Sequence, residues 1–174
     1  RAVKNLFPGT KLAIGPTITD GFYYDFEFKK AISPEDLGSI EKEMKKIISS
    51  NSAITKKLNT KEEAIEIFKL EGEPYKESII NDSEQEDGFQ LYYQDDSKFV
   101  DLCRGPHIPS LKHIGAFKLL KIAGAYWKGD SNNKMLTRIY GTAWKNEKDL
   151  SAYLDRIEEA EKRDHRKLGK EMNL

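Results

Sequence analysis

With 174 residues, the chain is long enough to bury one substantial core or two small ones. Its 29 basic and 29 acidic side chains cancel, so no overall field announces a nucleic-acid partner. A single cysteine excludes an internal disulfide and suits a reducing, cytoplasmic setting, and neither a bilayer-length apolar run nor a signal peptide is visible.

The chain starts at Arg1 rather than a methionine and is expected to be a piece of something longer. Residues 1–7 have the pattern of the last turns of a helix, with Val3, Leu6 and Phe7 on one face and Pro8-Gly9 as the stop. Strands are expected over 11–17 and 22–28, joined through Asp20-Gly21, a hairpin signal. In the second strand Phe22, Tyr24, Phe26 and Phe28 alternate with Tyr23, Asp25 and Glu27, so one face is core. Tyr24 can still present its hydroxyl at an end of the sheet. Ser33-Pro34-Glu35-Asp36 predicts a helix start, and Leu37, Ile40, Met44, Ile47 and Ile48 predict its apolar stripe.

A short strand over 53–58 leads to Thr60-Lys61-Glu62-Glu63, a capping box for a helix ending near Gly72. Pro74-Tyr75-Lys76 opens a turn and a brief helix, and residues 81–88 have the acidic, turn-rich composition of an exposed loop. Strands are expected at 89–94 and 98–103, then at 117–122 and 125–128, then from Met135 to Trp144 after a turn at 130–133. Asn146 caps a long final helix whose buried side is expected to comprise Leu150, Tyr153, Leu154, Ile157, Ala160 and Leu168. Strands and helices mix without a βαβ rhythm, which predicts an α+β fold with a mainly antiparallel sheet packed with helices. The expected organisation is a domain over 1–145, built as two α+β lobes around one cleft, followed by a C-terminal helix over 146–174.

Charge is unevenly spread. Residues 31–88 hold 8 basic against 14 acidic groups, and residues 89–145 hold 9 basic against 4 acidic ones. The second stretch, the one an anionic ligand would approach, contains Asp101-Leu102-Cys103-Arg104-Gly105-Pro106-His107. Its Gly-Pro pair breaks regular structure, so His107 can turn back toward Cys103. Such a Cys-x-x-x-His pair supplies two metal ligands, a thiol–imidazole pair, or simply a packed cysteine beside an ordinary histidine.

That heptad, together with Gly124-Ala125-Tyr126-Trp127-Lys128-Gly129-Asp130-Ser131-Asn132-Asn133-Lys134-Met135 and Arg138-Ile139-Tyr140-Gly141-Thr142-Ala143-Trp144, resembles the editing domain of threonyl-tRNA synthetases. The resemblance covers essentially the whole chain. It implies the fold of threonyl- and alanyl-type editing domains, with the last helix as a connector toward a catalytic domain. The activity it implies is hydrolysis of serine mischarged on tRNA(Thr). Serine lacks one methyl of threonine, a difference worth about 1–3 kcal/mol in a pocket, so errors must be removed afterwards.

The resemblance places Tyr24, Lys76, Asp101, Cys103 and His107 around that pocket. Asp101 suits the substrate ammonium, Lys76 a water or developing negative charge, His107 a water or the terminal ribose, and Tyr24 the wall that refuses the methyl. On their own, Lys76 is equally an ordinary surface lysine, Asp101 a partner for Arg104, and Cys103 a filler of a small apolar gap. The family pairs Cys103 and His107 with a His-x-x-x-His upstream of Arg1, and related alanine-specific proteins hold zinc with such a quartet. Two ligands do not close a zinc site, so no bound metal and little stand-alone activity are expected. ATP and zinc are expected in the catalytic domain of a homodimeric parent, and the expected partners are the tRNA(Thr) 3′ end and the parent's catalytic and anticodon-binding domains. An alternative is a tRNA-binding accessory module without chemistry.

Overall fold

The computed structural model describes residues 1–94, 98–103 and 114–172. Its architecture is α+β, with two antiparallel sheets, each carrying its own helices and its own apolar cluster. In the first sheet the order is β1 (Lys11–Leu12), β3 (Gly21–Glu27), β8 (Met135–Trp144) and β7 (Ala116–Tyr126), with β2 (Thr17–Ile18) also paired to β3. The strand expected over 11–17 is thus broken in two, because Pro16 has no N–H to give the ladder. The pairing still passes the break, with Ala13 N–H donating to Asp25 O at 2.9 Å and Asp25 N–H donating to Ile14 O at 2.8 Å. Ile18 pairs with Gly21, so Thr19 and Asp20 form the hairpin loop. Asp20 adopts φ 60°, a left-handed conformation that aspartate tolerates.

One face of β3 is core. Phe26 is buried, and Phe22, Tyr24 and Phe28 pack on a cluster of Leu12, Leu37, Ile40, Ile47, Leu119 and Ile139. On the opposite face Asp25 is buried and held bidentately by Arg138 at 2.8 and 3.0 Å, and the guanidinium stacks 3.9 Å from the Tyr23 ring centroid. Helix α1 (Ala2–Leu6) buries Ala2 and Val3, whereas Leu6, expected on that face, is exposed. Helix α2 (Asp36–Ser49) starts later than the Ser33 signal suggests. There the cap is reversed: Ser33 N–H donates to the Asp36 carboxylate at 2.8 Å.

The two strands expected over 117–122 and 125–128 are one continuous strand, β7. Gly124 does not end it, because Thr137 pairs opposite and a Cβ at Gly124 would lie 2.8 Å from the Met135 sulfur. The register shifts between Leu119 and Lys121, and Glu41 on α2 accepts the Leu119 N–H there at 2.8 Å. The chain leaves β7 through a 3₁₀ turn, Trp127–Gly129.

The second sheet has the order β4 (Thr55–Asn59), β5 (Phe89–Gln94), β6 (Phe99–Leu102). It is covered by α3 (Lys61–Leu70) and α4 (Pro74–Asp82), which bury Ala64, Phe68 and Ile80 against Phe89, Leu91 and Val100. Thr60 caps α3 by accepting the Glu63 N–H at 3.2 Å, but Glu63 turns to the Asn59 amide instead of completing the box. Helix α4 continues to Asp82, so the exposed loop after it is shorter than expected. Asn146 caps α5 (Glu147–Met172) through the Asp149 N–H at 2.9 Å. Leu150 is buried and Tyr153, Leu154 and Ile157 are half-buried, whereas Ala160 and Leu168 are exposed, because the helix has by then run past β7 and β8.

Glu73 fastens the two layers together. It precedes α4, is 2 % exposed, accepts the β1 Leu12 N–H at 2.8 Å and pairs with Lys4 of α1. Glu73→Ala leaves a buried backbone donor unpaired and removes the partner of Lys4, so we expect a loss of about 2–4 kcal/mol. A lower urea midpoint at unchanged slope is the expected readout, and an unchanged midpoint contradicts the fastening role.

Candidate functional site

The two sheets meet at a polar cluster, buried at Lys76 and half-buried at Tyr24 and Asp101. Tyr24 comes from β3 of the first sheet, Asp101 from β6 of the second, and Lys76 from α4. Pro74 occupies the first turn of α4, where its missing N–H costs nothing. Lys76 and Ile80 are the two buried positions of that helix; four residues apart, they share a face. Asp101 pairs opposite Tyr92 of β5, which puts its side chain on the face turned away from Leu91 and the second core.

The Lys76 ammonium is 2.7 Å from Asp101 Oδ1, and the residue is 3 % exposed. A lysine so far out of water requires a counter-charge, and Asp101 provides it. The Tyr24 hydroxyl donates to Asp101 Oδ2 at 2.8 Å, and Leu102 N–H donates to Oδ1 at 2.7 Å. The ammonium also lies 5.2 Å from the Tyr24 ring centroid, within cation–π range. Burial pushes the Tyr24 hydroxyl well above the ordinary tyrosine range, and the neighbouring Asp101 charge pushes it further. The phenol is therefore a neutral donor at physiological pH.

The ring of Tyr24 cannot retreat. It stacks on Phe26 at 4.9 Å, and on another side it lies against Gly15, where a Cβ would sit 2.1 Å from its Cδ2. Gly15 and Glu73 are two residues that the sequence did not single out. For Glu73 the hint lay in an acid placed before Pro74; for Gly15 it lay in a glycine two residues from a hairpin strand.

Of the residues expected at the site, the structure brings Tyr24, Lys76 and Asp101 into direct contact. Cys103 is exposed, and its N–H donates to Gln90 O at 3.2 Å, which keeps it on the Asp101 side of β6. His107 and Arg104 lie outside the described residues. Among the described residues no three His, Cys, Asp or Glu side chains are grouped to hold a metal ion, and no helix is long and apolar enough to cross a membrane.

Comparison with known proteins gives the family. Residues 89–140 match the threonyl and alanyl tRNA synthetase second additional domain. The chain is 56 % identical over 173 residues, 99 % of its length, to the threonine–tRNA ligase of Hahella chejuensis, and 55 % identical over all of its length to that of Legionella pneumophila. The chain is of the threonyl-tRNA synthetase family, and residues 89–140 lie in its second additional domain. It is also 51 % identical over 99 % of its length to the Prochlorococcus marinus threonine–tRNA ligase. The chain spans 27 % of the length of each of these relatives. Within this second additional domain, the matched segment carries β5, β6, β7 and most of β8, and hence both Asp101 and Cys103.

The raised Tyr24 ionisation has a consequence for stability. Above pH ~10 the unfolded tyrosine loses its proton while the folded one keeps it. Its contribution is thus complete below pH ~10 and is lost as pH climbs toward the folded value. Tyr24→Phe should therefore flatten the alkaline fall in stability and remove the slowest-ionising tyrosine from an ultraviolet phenolate titration. An identical alkaline profile in the variant would contradict the assignment.

Proposed function

We propose that this domain hydrolyses the ester of serine mischarged on tRNA(Thr), with the Tyr24–Asp101–Lys76 cluster as the amino-acid end of its site. The supporting observation is the arrangement around Asp101. A carboxylate offers about four lone-pair directions; among the described residues Lys76 and the Leu102 N–H engage Oδ1 and Tyr24 engages Oδ2, and the Asp101 charge also acts on the buried Arg1 amino group, as it would on a substrate ammonium. We assign the ammonium of a seryl group to Asp101 Oδ2. Lys76 gives one of its three N–H donors to Asp101; its others suit the ester carbonyl as negative charge develops on it, or the attacking water.

The Tyr24 ring is the wall that meets the extra methyl of threonine. Backed by Phe26 and Gly15, it excludes by shape what differential affinity of about 1–3 kcal/mol could not reject. His107, four residues beyond Cys103 in the matching motif, is assigned to orient the water or to hold the terminal ribose, and Cys103 lines the same end of the site. In a full-length parent, ATP and zinc would serve the ligase domain rather than this cluster. The parent's remaining domains and a second copy would complete the tRNA(Thr) complex.

Deacylation of Ser-tRNA(Thr) by the domain within its full-length ligase tests the proposal. Lys76→Met should lower the rate about a hundredfold through loss of a donor to the developing charge. Asp101→Asn should raise the substrate concentration required, through loss of the ammonium partner. Gly15→Ala should disturb serine-ester hydrolysis by displacing the Tyr24 ring. Unchanged deacylation in Lys76→Met and Asp101→Asn would refute the chemistry, and with tRNA binding intact it would leave an accessory binding module.

A further inference from the structure

The cluster occupies only one end of a longer surface. Asp101 pairs with Tyr92, and Tyr92 with Lys56, so these three share one face of the second sheet in a row across its strands. The next row is Cys103, Gln90 and Leu58: Cys103 N–H donates to Gln90 O, and Gln90 pairs with Leu58. At the other end of the same face Phe99 packs into the first sheet's core, which closes that end. Among the described residues the end with Cys103 and Leu58 is open: Cys103 and Lys56 are exposed and Leu58 is 63 % exposed, whereas Tyr92 between Asp101 and Lys56 is buried, so the open path runs along Cys103, Gln90 and Leu58 with Lys56 beside it.

This open lane has a definite chemistry. Lys56 supplies an exposed cation with no ion pair among the described residues, and Leu58 an apolar surface that those residues leave uncovered. Gln90 accepts the Tyr92 hydroxyl on its Oε1 at 3.0 Å, which among the described residues leaves its amide N–H donors for an outside partner. A phosphate contact, a flat apolar contact and an amide donor in succession suit a nucleotide chain with unstacked bases. With strands about 4.8 Å apart, the lane carries the surface from Cys103 roughly 10 Å outward to β4, enough for one or two nucleotides. Lys57, next along β4, faces the other way, 4.8 Å from the Tyr93 ring centroid.

Building on the ester-hydrolysis role proposed above, we propose that Lys56, Leu58 and Gln90 form the track on which the last unpaired nucleotides of the tRNA 3′ end run into the Asp101 site. The bases lie on Leu58 and against the Gln90 amide, and Lys56 holds the phosphate between them.

The test is equilibrium binding to the 174-residue chain of two probes. One is an acceptor-stem RNA hairpin ending in unpaired CCA. The other is adenosine carrying serine through a 3′-amide, which reaches the site but not the track. Lys56→Glu and Leu58→Asp change exposed side chains, and each should weaken hairpin binding about tenfold while leaving the seryl-adenosine amide unaffected. Lys57→Glu, the same charge reversal on the opposite face, should leave both probes bound as before. Trimming the hairpin's unpaired cytidines should erase the difference between wild type and the Lys56 and Leu58 variants.

Equal weakening by Lys56→Glu and Lys57→Glu overturns the track and leaves only general charge attraction. Hairpin binding that ignores Lys56 and Leu58, or is absent altogether, also overturns it. If the amide probe instead ignores Asp101→Asn, the failure lies in the amino-acid site and not in the track.

Discussion

An ammonium group leaves water only when an opposite charge and hydrogen bonds replace its hydration, and in this fold that requirement falls on Lys76. Its counter-charge is Asp101, on a sheet strand distant in sequence, and the second oxygen of that carboxylate is held by Tyr24 from the other sheet. Three elements are thereby tied at one point. The cluster is first of all a junction: removing Asp101 strands the Lys76 charge in a buried setting. Glu73 repeats the device nearby, joining the start of α4 to β1 and α1. Polar fastening is needed because the apolar side chains are divided between two clusters.

The same arrangement fixes what the proposed chemistry can use. Tyr24 is kept a neutral donor by burial and by Asp101, so Asp101 stays the acceptor of that pair. Lys76 is anchored through one donor, which sets the direction of the rest. The tyrosine ring is confined by Phe26 and by the absence of a side chain at Gly15, so a substrate methyl meets a wall rather than a yielding surface. Pre-organisation of this kind is where enzymes place most of their selectivity for charge and shape. Beyond Asp101 the sheet face opens, and an RNA strand would enter along it.

Much of the fold was legible because strand alternation and caps are local signals. The bounds of β5 and β8 follow directly from Phe89–Gln94 and Met135–Trp144, and Thr60 and Asn146 act as caps. Periodicity reports which residues could be buried, not whether anything arrives to bury them. That is why Leu6, Ala160 and Leu168 have apolar spacing and yet stand in solvent. Likewise Gly124 resembles a strand breaker until β8 lies beside it.

At the site, family likeness pointed to Tyr24, Lys76 and Asp101, while composition alone left Lys76 on the surface. Its burial depends on Asp101, a long-range partner that no local pattern contains. Glu73 was missed for the same reason, since an acid beside Pro74 has the pattern of a helix-start charge although its side chain turns to β1.

In the proposed role the Asp101 carboxylate, engaged by Lys76, Tyr24 and Leu102, also receives the substrate ammonium. A crystal structure of the chain with seryl-3′-aminoadenosine addresses it most directly. The expected result is the seryl ammonium on Asp101 Oδ2, with Lys76 still on Oδ1 and the Tyr24 ring unmoved. An ammonium bound elsewhere, or a Lys76 displaced from Asp101 to admit it, would contradict the claim.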